Sequence, residues 1–180
     1  NFMSHYSLNH FILDLEHIVP QHPDQKDLVN ASVHSMQKLL SNPNVLDQDF
    51  VNALVAGHID GRIYTSAEQG FFIQIFAWPP GVETPVHDHN TWGIMGVLSN
   101  ELQITDYTIH SGEEEGSYQL EQTEQYCAKQ GSIVGLTYPD NEIHHVKNPS
   151  HEYSLSIHIY GAELEDTHTF DLESGEIRVS

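Results

Sequence analysis

Fourteen of the 180 residues are histidine, against six Lys plus Arg, so the histidines that do chemistry must be found by their spacing. Pro85-Val86-His87-Asp88-His89 places two of them at i and i+2. On a strand such a pair projects from one face, one pleat apart, and can aim two imidazoles at one metal ion. Glu142-Ile143-His144-His145-Val146 adds a second pair in a later segment. Only one of these two can face inward, and the alternation leaves the choice between His144 and His145 open. The third element is Ser154-Leu155-Ser156-Ile157-His158-Ile159-Tyr160. Its alternation is strict: Ser154, Ser156, His158 and Tyr160 share one face, and the aliphatic residues share the other. A solvent face would more often carry Lys, Glu and Thr. Ser, His and Tyr in line form a hydrogen-bond relay able to orient a phenol and tune its acidity. The histidines without such spacing, His5, His10, His17, His22, His34, His58, His110, His151 and His168, read as surface or packed residues.

The elements that must position these groups change character once along the chain. Residues 1 to about 57 read helical. Leu8, Phe11, Ile12, Leu15 and Ile18 recur at three and four, predicting a helix that stops before Pro20. A second helix is predicted over 27–40, and a third from about Asp47 that closes at Gly57. From about Ile59, β-branched and aromatic residues dominate, and turn signals recur every 8 to 12 residues. Strands are predicted at 71–78, 83–89, 93–98, 101–109, 117–121, 124–128, 131–136, 142–148, 153–160 and 167–171, with a last one at 176–179. Short strands at this spacing indicate an antiparallel sandwich or barrel. Ser111–Gly116, with three consecutive Glu, reads as an exposed hairpin loop. The chain therefore divides into a helical cap (1–58) and a barrel (59–180), within one domain.

Composition excludes several functions. The formal net charge of −20 argues against nucleic-acid binding, which needs clustered Lys and Arg, and against an anionic membrane surface. No apolar run approaches the ~20 residues of a spanning helix. The N-terminus lacks a basic region followed by an unbroken apolar run, so a cytoplasmic protein is expected. The single cysteine, Cys127, excludes an intrachain disulfide and any Cys-based zinc cluster. It is expected to be a small buried residue.

The spacing Gly81, His87-x-His89, then His144 and Asn148 resembles the two motifs of the cupin barrel, a double-stranded β-helix of jelly-roll type. A typical cupin adds a Glu separated from the His pair by three or four residues. Here Gly93 and Ile94 stand at those positions. With the Glu missing, and with Ser156-x-His158-x-Tyr160, Trp78 and His168-Thr169-Phe170-Asp171, the chain resembles the cysteine dioxygenase family over roughly residues 60 to 175. The resemblance implies a mainly β fold with an N-terminal helical cap. It implies one Fe(II) per chain held by His87, His89 and His144, with His144 favoured over His145. It implies catalytic roles for Ser156, His158 and Tyr160, and a small thiol and O2 as partners. Mammalian-type members carry a Cys after the His pair that cross-links to the tyrosine. This chain has Thr91-Trp92-Gly93 there, so Tyr160 is expected to be unmodified.

The chemistry agrees. Three neutral imidazoles leave Fe(II) its full charge and open positions, which favours an anionic thiolate. Three His plus water is also a zinc hydrolytic pattern, and a cupin that binds a ligand without turnover is a further rival. Substrate choice turns on a second anchor. Arg62 and Arg178 are the only arginines. The resemblance puts Arg62 where cysteine-type enzymes keep a carboxylate-binding Arg, while 3-mercaptopropionate-type relatives tend to have Gln. The reaction expected is oxidation of L-cysteine to cysteine sulfinate, with 3-mercaptopropionate as the close alternative. A surface ion pair is the simpler reading of Arg62.

Overall fold

A computed structural model describes residues 5–113 and 117–180. Among these described residues three helices come first: α1 (Leu8–Gln21), α2 (Gln25–Leu40) and α3 (Gln48–Val55). Eleven strands follow: β1 (Arg62–Thr65), β2 (Phe72–Trp78), β3 (Val86–His87), β4 (Gly93–Ser99), β5 (Glu101–Ser111), β6 (Tyr118–Lys129), β7 (Ile133–Leu136), β8 (Ile143–Lys147), β9 (Ser154–Tyr160), β10 (His168–Phe170) and β11 (Ile177–Val179). They form two antiparallel sheets, β1-β2-β9-β4-β7 and β11-β10-β3-β8-β5-β6.

Each helix begins on a side-chain cap that satisfies an otherwise orphan N–H: Ser7, Asp24 and Asp47. The helices cover one sheet. Phe11 and Leu15 of α1 and Met36 and Leu39 of α2 meet Phe71, Ile73, Ile75, Ile94, Ile157 and Ile159 in one buried cluster. Full burial of such side chains stabilises by about 1.5–3 kcal/mol each. Close approach of α2 requires two residues without side chains. A Cβ on Gly96 would lie 2.8 Å from the Met36 sulfur, and one on Gly135 would lie 2.6 Å from Val29. The aliphatic face of β9 is thus covered by helices, which turns its polar face into the barrel. There a second cluster, Trp78, Met95, Val97, Leu102, Ile104, Ala128, Val134 and Val146, fills one end.

Several boundaries differ from the sequence reading. α1 runs through Pro20 to Gln21. In the last turn, proline costs only one backbone bond, and the helix ends at the next residue. β1 was not expected: four residues with mixed burial at a sheet edge carry little periodic signal. The segments 117–121 and 124–128 are one strand, β6. It lies at a sheet edge with most residues exposed, so it needs no alternation. Its register slips between Asp106 and Tyr107 of β5, skipping Thr123, whose Oγ1 donates to the Asp106 carbonyl at 3.2 Å. The expected Ser111–Gly116 loop falls partly on residues 114–116, outside the described residues. Cys127 is exposed on β6 rather than buried. Its Sγ donates to Glu101 at 3.0 Å, and that carboxylate raises the thiol pKa. No described helix is long and apolar enough to cross a membrane.

Candidate metal centre

His87 and His144 are direct cross-strand partners on β3 and β8, so their side chains share a face. His89 lies past the end of β3. The expected regular strand over 83–89 is reduced to Val86–His87, with an isolated bridge from Glu83 to Lys147. Something other than the pleat must therefore turn His89 inward, and that is Glu142. Its carboxylate is buried and accepts the backbone N–H groups of His89 and Asn90, both at 2.8 Å. Its backbone carbonyl accepts His89 Nδ1 at 2.8 Å. Asn90 adopts φ +57°, a left-handed turn that Asn tolerates.

The three rings converge, with centroids 4.7–4.8 Å apart, and one nitrogen from each lies within 4.8 Å of the others. His145 faces away from this cluster, 3.4 Å from Glu83. Asp88 also turns away and accepts the backbone and ring N–H of His168 at 2.6 and 2.7 Å. No carboxylate joins the group among the described residues.

This donor set fits a metal ion. His89 Nδ1 and His87 Nδ1 are both committed to carbonyls, of Glu142 and Pro85, which leaves Nε2 lone pairs for the centre. Buried His89 Nε2 and His144 Nδ1 have no hydrogen-bond partner among the described residues, a cost a protein seldom bears without a purpose. Burial lowers all three pKa values, His89 to about 3; the His87 ring lowers His89 further, and both lower His144. The imidazoles are neutral at neutral pH, as ligands must be. Glu142→Ala is expected to weaken metal binding about 10- to 100-fold, as loss of a partner behind a ligand typically does, with Glu142→Gln closer to wild type. A competitive chelator titration checks this.

The relay is present and longer than the sequence suggested. Ser156 Oγ lies 2.7 Å from His158 Nε2, and His158 Nδ1 lies 3.1 Å from the Tyr160 hydroxyl. Trp78 Nε1 donates to Ser156 Oγ at 2.8 Å. All four side chains are buried. The indole can only donate, so Ser156 accepts from it and turns its own hydrogen to His158. Burial holds the His158 pKa down at about 3, so the ring is neutral with its proton on Nδ1. Tyr160 then receives a hydrogen bond and keeps its own O–H free. Burial raises the Tyr160 pKa, so the phenol is protonated. Its ring stacks on His89 at 5.5 Å and 20°. Gly93, where a typical cupin would carry its Glu, pairs with Tyr160. A Cβ there would lie 3.2 Å from the tyrosine ring, so the absent side chain makes room for the phenol.

Arg62 opens β1 and pairs with Gln74. Its guanidinium lies 3.8 Å over the Phe72 ring and forms an ion pair with Glu163. That pair raises the Arg62 pKa and lowers the Glu163 pKa. Arg178 is exposed and paired with Glu176. Asn148 is buried, and its Nδ2 donates to the Trp78 carbonyl at 2.9 Å and the Glu152 carbonyl at 2.7 Å. It ties the end of β2 to the turn before β9. The roles of Glu142, Glu163 and Trp78 escaped sequence reasoning. Trp78 alone left a signal, at the end of a strand pattern that pairs with β9.

Fold and site together define a cupin with an all-histidine candidate metal centre. A profile of the cysteine dioxygenase type I family matches residues 21–173, and the chain belongs to that family. Solved structures similar to it include a cupin domain from Schizosaccharomyces pombe (13% identity, TM-score 0.43, 57% of this chain and 63% of that one). An RmlC-like cupin with a double-stranded β-helix fold from Methanocaldococcus jannaschii is 15% identical (TM-score 0.43, 58% and 79%). A recombinant oxalate oxidase in complex with glycolate is 17% identical, with TM-score 0.39 over 52% of this chain and 42% of that one. The matched part of this chain therefore spans less than half the length of the oxalate oxidase.

Proposed function

We propose that the protein is an iron-dependent thiol dioxygenase that converts a small thiol carboxylate, most directly L-cysteine, to its sulfinic acid. The observation that carries this reading is an all-nitrogen, charge-neutral ligand set beside a protonated phenol whose hydroxyl hydrogen is free. His87, His89 and His144 would hold the metal. Bound there, Fe(II) would supply open coordination positions for a thiolate and O2, together with the redox chemistry between them. The reaction balances without a further reductant: RSH and O2 give RSO2H, the sulfur loses four electrons and O2 gains them.

The chain's own groups have defined tasks in this reading. Tyr160 donates a hydrogen bond toward the site, since His158 already donates to its oxygen. Ser156 and Trp78 keep His158 in the tautomer that makes this possible. Phe72, Phe76 and Trp78 keep that corner apolar, which strengthens each hydrogen bond inside it. Arg62 is the proposed anchor for the substrate carboxylate. The same anchor suits 3-mercaptopropionate.

Oxygen uptake with L-cysteine, 3-mercaptopropionate and cysteamine tests the activity. One O2 consumed per sulfinate formed supports it, and no uptake with any thiol by iron-loaded protein rejects it. Metal analysis of protein purified without added metal separates iron from zinc. Trp78→Phe is expected to lower turnover about 2- to 10-fold at unchanged iron content, the value of one neutral hydrogen bond. Steady-state kinetics beside iron analysis checks it.

A further inference from the structure

Cross-strand partners share a face of a sheet. Arg62 pairs with Gln74 and Gln74 with His158, so Arg62 stands in one row with the relay, on the same face. Phe72, under the guanidinium, packs against Tyr160 at 5.4 Å. Arg62 is thus joined to the site through a single aromatic side chain. Its fork is already engaged: Glu163, just after β9, accepts Nη1 at 2.5 Å and Nη2 at 3.0 Å. Two parallel contacts to one carboxylate are the arrangement a bound carboxylate ligand would itself adopt.

We infer that Glu163 is a resident competitor for the Arg62 fork, displaced when a carboxylate-bearing thiol binds, and so sets how strongly the site prefers such thiols. The inference rests on the reading of Arg62 as substrate anchor given above. Both side chains are partly open to solvent, 34% and 53% exposed. An ion pair of that kind is weak and easily exchanged, which suits a group that must yield to substrate. Glu163 lies in the segment between β9 and β10 and can swing aside without disturbing a strand. Asp60 bonds the Arg62 backbone N–H at 3.0 Å and stays in place, so the local field keeps one negative charge.

The test is Glu163→Gln. The KM for L-cysteine is expected to fall about two- to fivefold, the scale of an exposed ion pair, with kcat little changed. The ratio of kcat/KM for cysteine over cysteamine should rise by the same factor. In an Arg62→Ala background the Glu163→Gln effect on cysteine should vanish. Simple removal of a negative charge would instead raise the KM for cationic cysteamine in both backgrounds, and that outcome overturns the inference. So does a higher KM for cysteine in Glu163→Gln, which would mean that Glu163 steadies the fork. A second measurement does not depend on turnover. With only two arginines in the chain, the Arg62 Nε–H resonance can be followed by NMR as propionate is added to the metal-free protein. Tighter propionate binding in Glu163→Gln upholds the competition even if no thiol is oxidised. Equal binding in both proteins defeats it even if cysteine is a substrate.

Discussion

His144→Ala is expected to strip the protein of bound iron and abolish turnover, whereas His145→Ala should leave both near wild type. The two residues are adjacent on one strand and identical in type, so the contrast isolates direction. His144 pairs with His87 across the ladder and its ring joins the cluster. His145 points to the opposite face, toward Glu83 and away from the centre. Replacing a group that merely orients a ligand typically costs about 10- to 100-fold in metal affinity. Removing one of three ligands should cost more, because the remaining two leave the ion largely to solvent. The alanine also removes a buried imidazole with an unpaired nitrogen, so the metal-free protein should not lose stability in proportion. Iron per chain after purification, with thermal unfolding of the metal-free proteins, checks both parts. Iron retained at the wild-type level in His144→Ala would reject the ligand assignment.

The sequence exposed what repeats and hid what converges. Ser156, His158 and Tyr160 were legible because a strand has period two and their partners on the other face are all aliphatic. The structure shows why that alternation is so clean: one face lies under the helices and the other lines the site. The choice between His144 and His145 was not legible from the pattern, because Ile143 and Val146 flank them and both are buried. Ile143 joins Val86 and Phe170, and Val146 joins the barrel cluster with Leu102 and Ile104, so apolar residues sit on both sides of β8. His89 was found for an incomplete reason. The i, i+2 spacing suggested one pleated strand, but a buried carboxylate 53 residues away turns it inward. Such a contact has no period and no local signal. The same holds for Glu163 and Arg62, 101 residues apart. Arg62 was read both as an anchor and as a surface ion pair; the ion pair with Glu163 is present, and the anchor role stays a proposal.

Tyr160→Phe is expected to retain iron and lower turnover by about 10²- to 10⁴-fold, the usual loss when a positioned proton donor is removed. The substitution deletes one oxygen and keeps the ring that stacks on His89 and packs against Phe72, so the ligand shell should persist. Its effect cannot be offset by His158. With the hydroxyl gone, His158 Nδ1 loses its acceptor while Nε2 still takes the Ser156 hydrogen. The ring is then left with an unmade bond in a buried place, at a cost of about 1–3 kcal/mol. Binding of thiol should change less than turnover, because the metal and Arg62 are the proposed holds on the substrate. The expected signature is therefore a large fall in kcat with a modest change in KM. Tyr160 should also behave as a neutral phenol throughout the working range, since burial raises its pKa and lowers that of His158 to about 3. The rate should then show no titration belonging to this pair between pH 6 and 8, a range that lies between the two shifted groups. Steady-state kinetics of wild type and Tyr160→Phe across that range, with iron quantified in each, decides the point. Wild-type kcat in Tyr160→Phe would remove the phenol from the mechanism, and iron loss in that variant would recast it as a support for His89.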